Sequence, residues 1–538
     1  MPLTAAIILA AAAYTSAQQK ESSKKASGDA ADLHDPEMLA GSVVLTKPVI
    51  TPAFVDESKL SAIDLLPLEK TLTIMERPIS TVSFYEISSS NDLEVILQKL
   101  QARVEAVLIA NPWLGGWILR GKGFGSFDQT IRIWYDQTGK QRAPGIFQHL
   151  SFDEVPLGID TPFIDYETIL GKTNALVKSN PEIINRKNEP MFRITVILEP
   201  KHIGGNDEGN LSFTGFALLA SMSHICGDGH TFYRIYNMIL GAEPISALIP
   251  QREQQFERKA MELMGRQEAN YISHITSDPA WAKFFRREDS FANDDGGSKL
   301  QGRVFVVNRH WVGNLKASRL MSGNWTDVCT STLRSPMSDA FLFEMESAQN
   351  PIQSTNDIIV SWFWNVIGPD VGMMAVNLRE RVDLVTKDHA GNYANPIPYT
   401  TDDYRSPELI RASLKLCRRA GAKDGNMTLL PKAHPGVTFS VITNWSSFRS
   451  SLVASRLEPH ANEAEVATRW NDDDKVKLIR HLPIVHPKQM MKVVPKRMSF
   501  LVIFSSGRED IGCVLVAPSR VMNEVDTCGI MKEVIAEF

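Results

Sequence analysis

The stretch that most constrains the fold is LSFTGFALLASMSHICGDGHTFYRIYNMIL, residues 211–240. Its first fifteen positions form a long, nearly unbroken apolar run. A strand with one wet face alternates, whereas a strand covered on both faces does not, so 211–225 fits a buried central strand. Cys226-Gly227-Asp228-Gly229 then turns the chain, and HTFYRIYNMIL begins a helix. A buried central strand followed by a helix calls for a layered α/β domain.

The remaining pattern repeats this mixture. TVSFYEI (81–87), QTIRIWYD (129–136) and MFRITVILEP (191–200) read as strands. NDLEVILQKLQARVEAVLIANPWL reads as an amphipathic helix with Asn91 placed to cap it. Residues 250–300 differ: QREQQFERKAMELMGRQEANY reads as a polar helix with little apolar face, and REDSFANDDGGSKLQG as a loop. Beyond them, GRVFVVNRHWV (302–312), VGMMAVNLRER (371–381), HPGVTFSVITNWSSF (434–448) and RMSFLVIFSSG (497–507) read as strands. NDIIVSWFWNVI (356–367) reads as a buried helix stopped by Gly368-Pro369, and MNEVDTCGIMKEVIAEF as a closing helix. The division expected is a leader or targeting segment with a polar linker (1–40), one α/β domain (41–249), a crossover (250–300) and a second α/β domain (301–538).

The 538 residues exceed one compact core, and 43% hydrophobic content supports substantial interiors. A net charge of −5 supplies no global positive field to recruit nucleic acid. Five scattered cysteines without a CxxC pair exclude a disulfide scaffold or zinc module and favour a reducing compartment. The apolar run Leu3–Ala13 is too short to span a bilayer and resembles a signal h-region, but no Lys or Arg precedes it. A cytoplasmic monomer is expected, with a secretory or organellar location as the alternative.

The turn itself admits three readings. His224, Cys226, Asp228 and His230 alternate and carry metal-binding atoms, yet Gly227 and Gly229 interleave them and signal a turn rather than a straight strand. The plain structural reading has Asp228 cap the helix and His224 sit as a satisfied core histidine. The catalytic reading has His224 desolvated at a strand end, which favours the neutral imidazole a general base needs. Asp228 would then pair with a distant arginine and lock the turn.

His224-Ile-Cys-Gly-Asp228-Gly229 resembles the HxxxDG motif of the CoA-dependent acyltransferase superfamily: BAHD acyltransferases, chloramphenicol acetyltransferase and peptide-synthetase condensation domains. Further segments are similar to family motifs in the family's order. LSAIDLLPLEKT (60–71) and FYEI look like its LSxxD and FY segments, and NPWLGGWIL (111–119) sits at its early helix end. AVNLRERV (375–382) is similar to its D/NxRxR strand, AGNYANPI (390–397) to its GYFGN segment with Asn395 as the matching asparagine, and VITNWSSF (441–448) to its TSW strand. The DFGWG signature of plant BAHD enzymes is absent, with HLPIVHPKQMM in its place.

The resemblance implies two similar chloramphenicol-acetyltransferase-like α/β domains, each a mixed sheet flanked by helices, with a channel between them. It implies an acyltransferase moving an acyl group from acyl-CoA, the co-substrate, to a small-molecule alcohol or amine. No cofactor is bound, no metal is used and no covalent enzyme intermediate forms. His224 would be the general base and Asp228 would pair with Arg379. The Gly229 N–H, Asn444 and Ser446 are candidate oxyanion donors. His230 reads as structural, and Lys488, Lys492, Lys496 and Arg497 are a basic cluster able to meet CoA phosphates. The alternatives are transfer from a carrier protein, or a catalytically silent binding protein of the same fold.

Overall fold

The structure is a computed structural model. It describes residues 56–71, 77–87, 93–121, 130–186, 188–198, 214–285, 299–322, 354–420, 430–434, 436–448, 476–485, 490, 494–507 and 510–538. The leader, Asn91, the loop 286–298, Lys488 and Lys492 lie outside them.

Fifteen strands are described. They are β1 (Leu60–Asp64), β2 (Ile79–Ile87), β3 (Trp117–Arg120), β4 (Ile131–Asp136), β5 (Phe147–Ser151), β6 (Phe192–Leu198), β7 (Thr214–Met222) and β8 (Leu300–Val307). Then follow β9 (Val371–Asn377), β10 (Ala394–Tyr399), β11 (Phe439–Asn444), β12 (Val476–Pro483), β13 (Met498–Ser505), β14 (Ile511–Pro518) and β15 (Met531–Glu537). They form a five-stranded sheet β12-β2-β7-β6-β5, a seven-stranded sheet β10-β9-β11-β13-β14-β8-β15 and a small sheet β1-β4-β3. Both large sheets are mixed: β5–β6 is parallel in the first, and β11 is parallel to both β9 and β13 in the second.

The central position of β7 explains its apolar run. Phe216, Leu218, Ala220 and Met222 pack into one core with the helices Leu93–Ala110 and Gly229–Leu240. Ala217 and Leu219 enter a second core with Val82 and Phe84 of β2 and with Val304, Val502, Phe504 and Val514 of the other sheet. The two large sheets therefore meet face to face, and the period-two geometry of a strand divides each one between two cores. On the far side of the seven-stranded sheet, the helix Thr355–Ile367 buries Trp362, Phe363 and Trp364.

Three elements differ from their sequence pattern. Residues 256–277 form two helices broken at Gly265, and they bury Phe256, Ala260, Met264 and the charged Glu268 rather than standing in solvent. Arg309 opens a helix where the pattern continued the strand, because β8 ends once its pairing with β14 and β15 is exhausted. The chain closes on a strand rather than a helix: the last helix stops at Thr527, and Met531–Glu537 pairs with β8. β12, from the C-terminal half of the chain, pairs antiparallel with β2 and completes the five-stranded sheet.

The helix Gly229–Leu240 is held at its far end by Arg103, a charged residue on the buried face of Leu93–Ala110. Its Nε donates to the carbonyls of Met238 and Ile239 at 2.9 and 3.1 Å. These are carbonyls of the last turn, and the cation sits where the helix dipole favours it. Arg103→Ala is expected to cost about 1.5–3 kcal/mol in chemical denaturation, the range for hydrogen bonds to a charged group.

Candidate active site

The carboxyl ends of β7, β9 and β11 converge on the turn 223–228. Ser223 starts the turn: its N–H donates to the Met191 carbonyl, its hydroxyl to Asn180 Oδ1 at 2.7 Å, and its carbonyl accepts from Cys226 N–H at 2.9 Å. Gly227 is required by packing, since a Cβ there would stand 2.6 Å from the Thr231 side chain.

Asp228 then caps the helix, its Oδ1 accepting from Thr231 N–H at 3.1 Å. The same carboxylate meets Arg379 in a fork, with Nη1 to Oδ2 at 2.8 Å and Nη2 to Oδ1 at 3.2 Å, and Oδ2 also accepts from Tyr393 N–H at 3.0 Å. Arg379 donates further to the carbonyls of His389 and Gly391, and its guanidinium stands 5.0 Å above the Tyr393 ring. Burial pushes the Asp228 carboxyl up. The charge and hydrogen bonds of Arg379 prevail and hold it below the usual carboxylate range.

A second buried ion pair flanks the turn. Arg252 Nε lies 2.9 Å from Glu69 Oε2, both side chains fully shielded, and Nη2 donates to the Cys226 carbonyl at 2.9 Å. Glu69 also accepts from the N–H and the amide of Asn392, and that amide donates to the His224 carbonyl at 2.9 Å. Gly391 separates the two guanidinium groups. Its φ of +134° suits glycine alone, and a Cβ there would stand 2.9 Å from Arg252 Nε.

His224 is thus gripped through its backbone while its side chain remains half-buried. Nδ1 is shielded and makes no hydrogen bond of ordinary geometry. Burial holds the imidazole below its ordinary value, opposed by its own carbonyl, the Asp228 charge and the Asn392 amide. Neutral imidazole is the resting form.

The other members of the alternating set are occupied elsewhere. Burial pushes the Cys226 thiol up to about 12. His230 Nε2 meets the Lys387 carbonyl at 3.0 Å, and its ring stands edge-on to Phe448. Among the described residues, no group of three or more His, Cys, Asp or Glu side chains could hold a metal ion.

Gly229 opens the helix, with Trp445 and Phe448 about a van der Waals contact from where its Cβ would be. Asn444 donates to Asn356 Oδ1 at 2.6 Å, and the Ser446 hydroxyl donates to Asn444 Oδ1 at 2.7 Å, so both side-chain donors are engaged away from His224. Asn395 faces Met264; Asn392, not Asn395, is the asparagine at the histidine. Lys496 and Arg497 precede β13, and their end of the sheet is roughly 20 Å of strand from the Trp445–Ile503 contact beside Gly229. Sequence reasoning missed Glu69, Arg252 and Asn392. Glu69 lies inside a motif-like segment, but nothing local marks it as buried.

The fold and site define a mixed α/β protein with a largely buried histidine held between two buried ion pairs. Solved structures with a similar chain path include F. sporotrichioides TRI101 complexed with coenzyme A and T-2. It has 11% identity, covers 88% of this chain and 100% of its own, and has a TM-score of 0.47. The condensation domain of the Monacolin K polyketide synthase MokA has 10% identity, 89% and 100% coverage and a TM-score of 0.47. Vinorine synthase has 13% identity, 85% and 91% coverage and a TM-score of 0.43. No family model and no curated protein sequence matches the chain. No helix among the described residues is long and apolar enough to cross a membrane.

Asp228→Asn is expected to lower stability by about 3–5 kcal/mol, because it leaves Arg379 buried without its counter-charge. The sign of the pH effect follows from the depressed carboxyl. Its contribution is complete above the unfolded value near 3.9 and disappears as pH falls through the lower folded value. Acid unfolding curves of the wild type should therefore be steeper below about pH 4 than those of the variant.

Proposed function

We propose that the protein is an acyltransferase that moves an acyl group from acyl-CoA to a hydroxyl or amine acceptor, with His224 as general base. The observation carrying this reading is the division of labour in the turn. Asp228, four residues from the histidine, is turned to Arg379 and does not relay to the imidazole. A largely buried histidine whose burial favours the neutral form is left as the base. The ordered motif resemblance supports the same reading.

With Nδ1 shielded, Nε2 is the ring nitrogen available to a substrate. It takes the proton of the acceptor hydroxyl or amine as that oxygen or nitrogen bonds to the thioester carbonyl carbon. The tetrahedral oxyanion would meet the Gly229 N–H at the start of the helix, which has no intrahelical carbonyl to bond, whereas the Thr231 N–H is already given to Asp228. Asn444 and Ser446 are less suited to this role, their donors being engaged. Collapse breaks the carbon–sulfur bond, and the imidazolium returns its proton to the leaving thiolate. The acylated acceptor, an ester or an amide, and the free thiol are the products.

His224→Ala is expected to cut thiol release from an acyl-CoA panel offered with pooled alcohols and amines by about 10²–10⁴-fold, with an unchanged circular dichroism spectrum. Undiminished turnover would remove His224 from the chemistry. In the wild type, the acid limb of kcat/KM should fall below pH 6.5, the ordinary histidine value, because burial keeps the base unprotonated to lower pH.

A further inference from the structure

Asp228 and Arg379 anchor one end of the turn. The His224 end is anchored by different groups. We infer that Asn392 is a positioning residue for His224, held in place by the buried Glu69–Arg252 pair. The Asn392 amide nitrogen is donor to two acceptors, Glu69 Oε1 at 3.1 Å and the His224 carbonyl at 2.9 Å, and the residue is 2% exposed. Its own backbone N–H donates to the same Glu69 oxygen at 3.0 Å, so the side chain has little freedom to turn away.

Glu69 in turn cannot drift. It accepts from Leu66 N–H at 3.0 Å and from Arg252 Nε, while Arg252 Nη1 holds the carbonyls of Pro250 and Ala390 at 2.6 and 2.9 Å. Arg252 Nη2 reaches the Cys226 carbonyl, two residues beyond the histidine. The carbonyls of residues 224 and 226 are therefore both fixed by one network, which joins the N-terminal segment, the start of the crossover and the loop before β10. A histidine held through its own carbonyl presents its ring at a set position, and a misplacement of about 1 Å in a reacting group can cost about 10²-fold in rate. The ring also feels Asn392 directly: with its own carbonyl, Asp228 and Glu69, the amide is among the groups that oppose the effect of burial.

The inference rests on the acyltransferase reading only for its turnover arm. Asn392→Ala is expected to lower kcat about 10²-fold with KM changed by no more than about twofold. It is also expected to shift the His224 ionisation to lower pH, read by NMR titration of histidine-labelled full-length protein with the signal assigned by its loss in His224→Gln. Arg252→Lys, which keeps the charge beside Glu69 but loses the Nη2 bond to the Cys226 carbonyl, should lower kcat in the same direction by less. A fall in thermal midpoint with unchanged kcat and unchanged His224 titration would reduce Asn392 to a packing bond and overturn the inference. If the wild type shows no acyl transfer, the titration decides alone: a shifted His224 sustains the positioning role and an unshifted one removes it. If Asn392→Ala does not fold, Asn392→Ser takes its place with the same two outcomes.

Discussion

The Asp228–Arg379 ion pair is the interaction on which the site depends. A buried carboxylate and a buried guanidinium each carry a desolvation cost of several kcal/mol, recovered only when the geometry is good and the remaining hydrogen-bonding capacity is filled. Here the fork is two-pronged, the Asp228 oxygens take two further backbone N–H groups, and Arg379 satisfies two carbonyls. The pair consequently ties the end of β7 to the end of β9 and to the loop before β10. It also turns the carboxylate away from the histidine.

The Glu69–Arg252 pair repeats the device on the other side of Gly391. Two cations on either side of one glycine would repel if unpaired, and each is neutralised by a carboxylate from a different part of the chain. Neither pair is good evidence for stability in itself, since well-packed apolar groups can do as well. What ionic pairs add is direction: each guanidinium fixes several carbonyls at set angles. That property suits a turn whose histidine must stay at one place while remaining accessible.

Much of this was legible beforehand. The run 211–225 read as a buried strand, and both faces of β7 are covered; the helix within NDLEVILQKLQARVEAVLIANPWL followed from apolar spacing and that of 356–367 from its apolar run and Gly368-Pro369 stop. His224 and Asp228 stood out because their residue types are costly to bury without a purpose, and Arg379 was named by the resemblance of AVNLRERV to a family motif. The polar reading of 250–277 failed for a related reason. A charged side chain in sequence looks solvated, and Arg252 and Glu268 are buried only because Glu69 and Arg419 come from elsewhere to pair with them. The C-terminal strand was read as a helix because seven residues carry little periodicity until β8 supplies a partner.

By itself, then, the sequence determined the local elements and the chemical identity of the turn. Apolar period, glycine placement and residue type are properties of neighbours along the chain. The tertiary structure decided which asparagine serves the histidine, which charges are buried, and that β12 crosses back to pair with β2. Those outcomes depend on hydrogen bonds between residues separated by 151 positions or more, and no local pattern encodes such partners. HICGDG names a histidine and an aspartate; the fold shows the aspartate turned to Arg379 and away from the histidine ring.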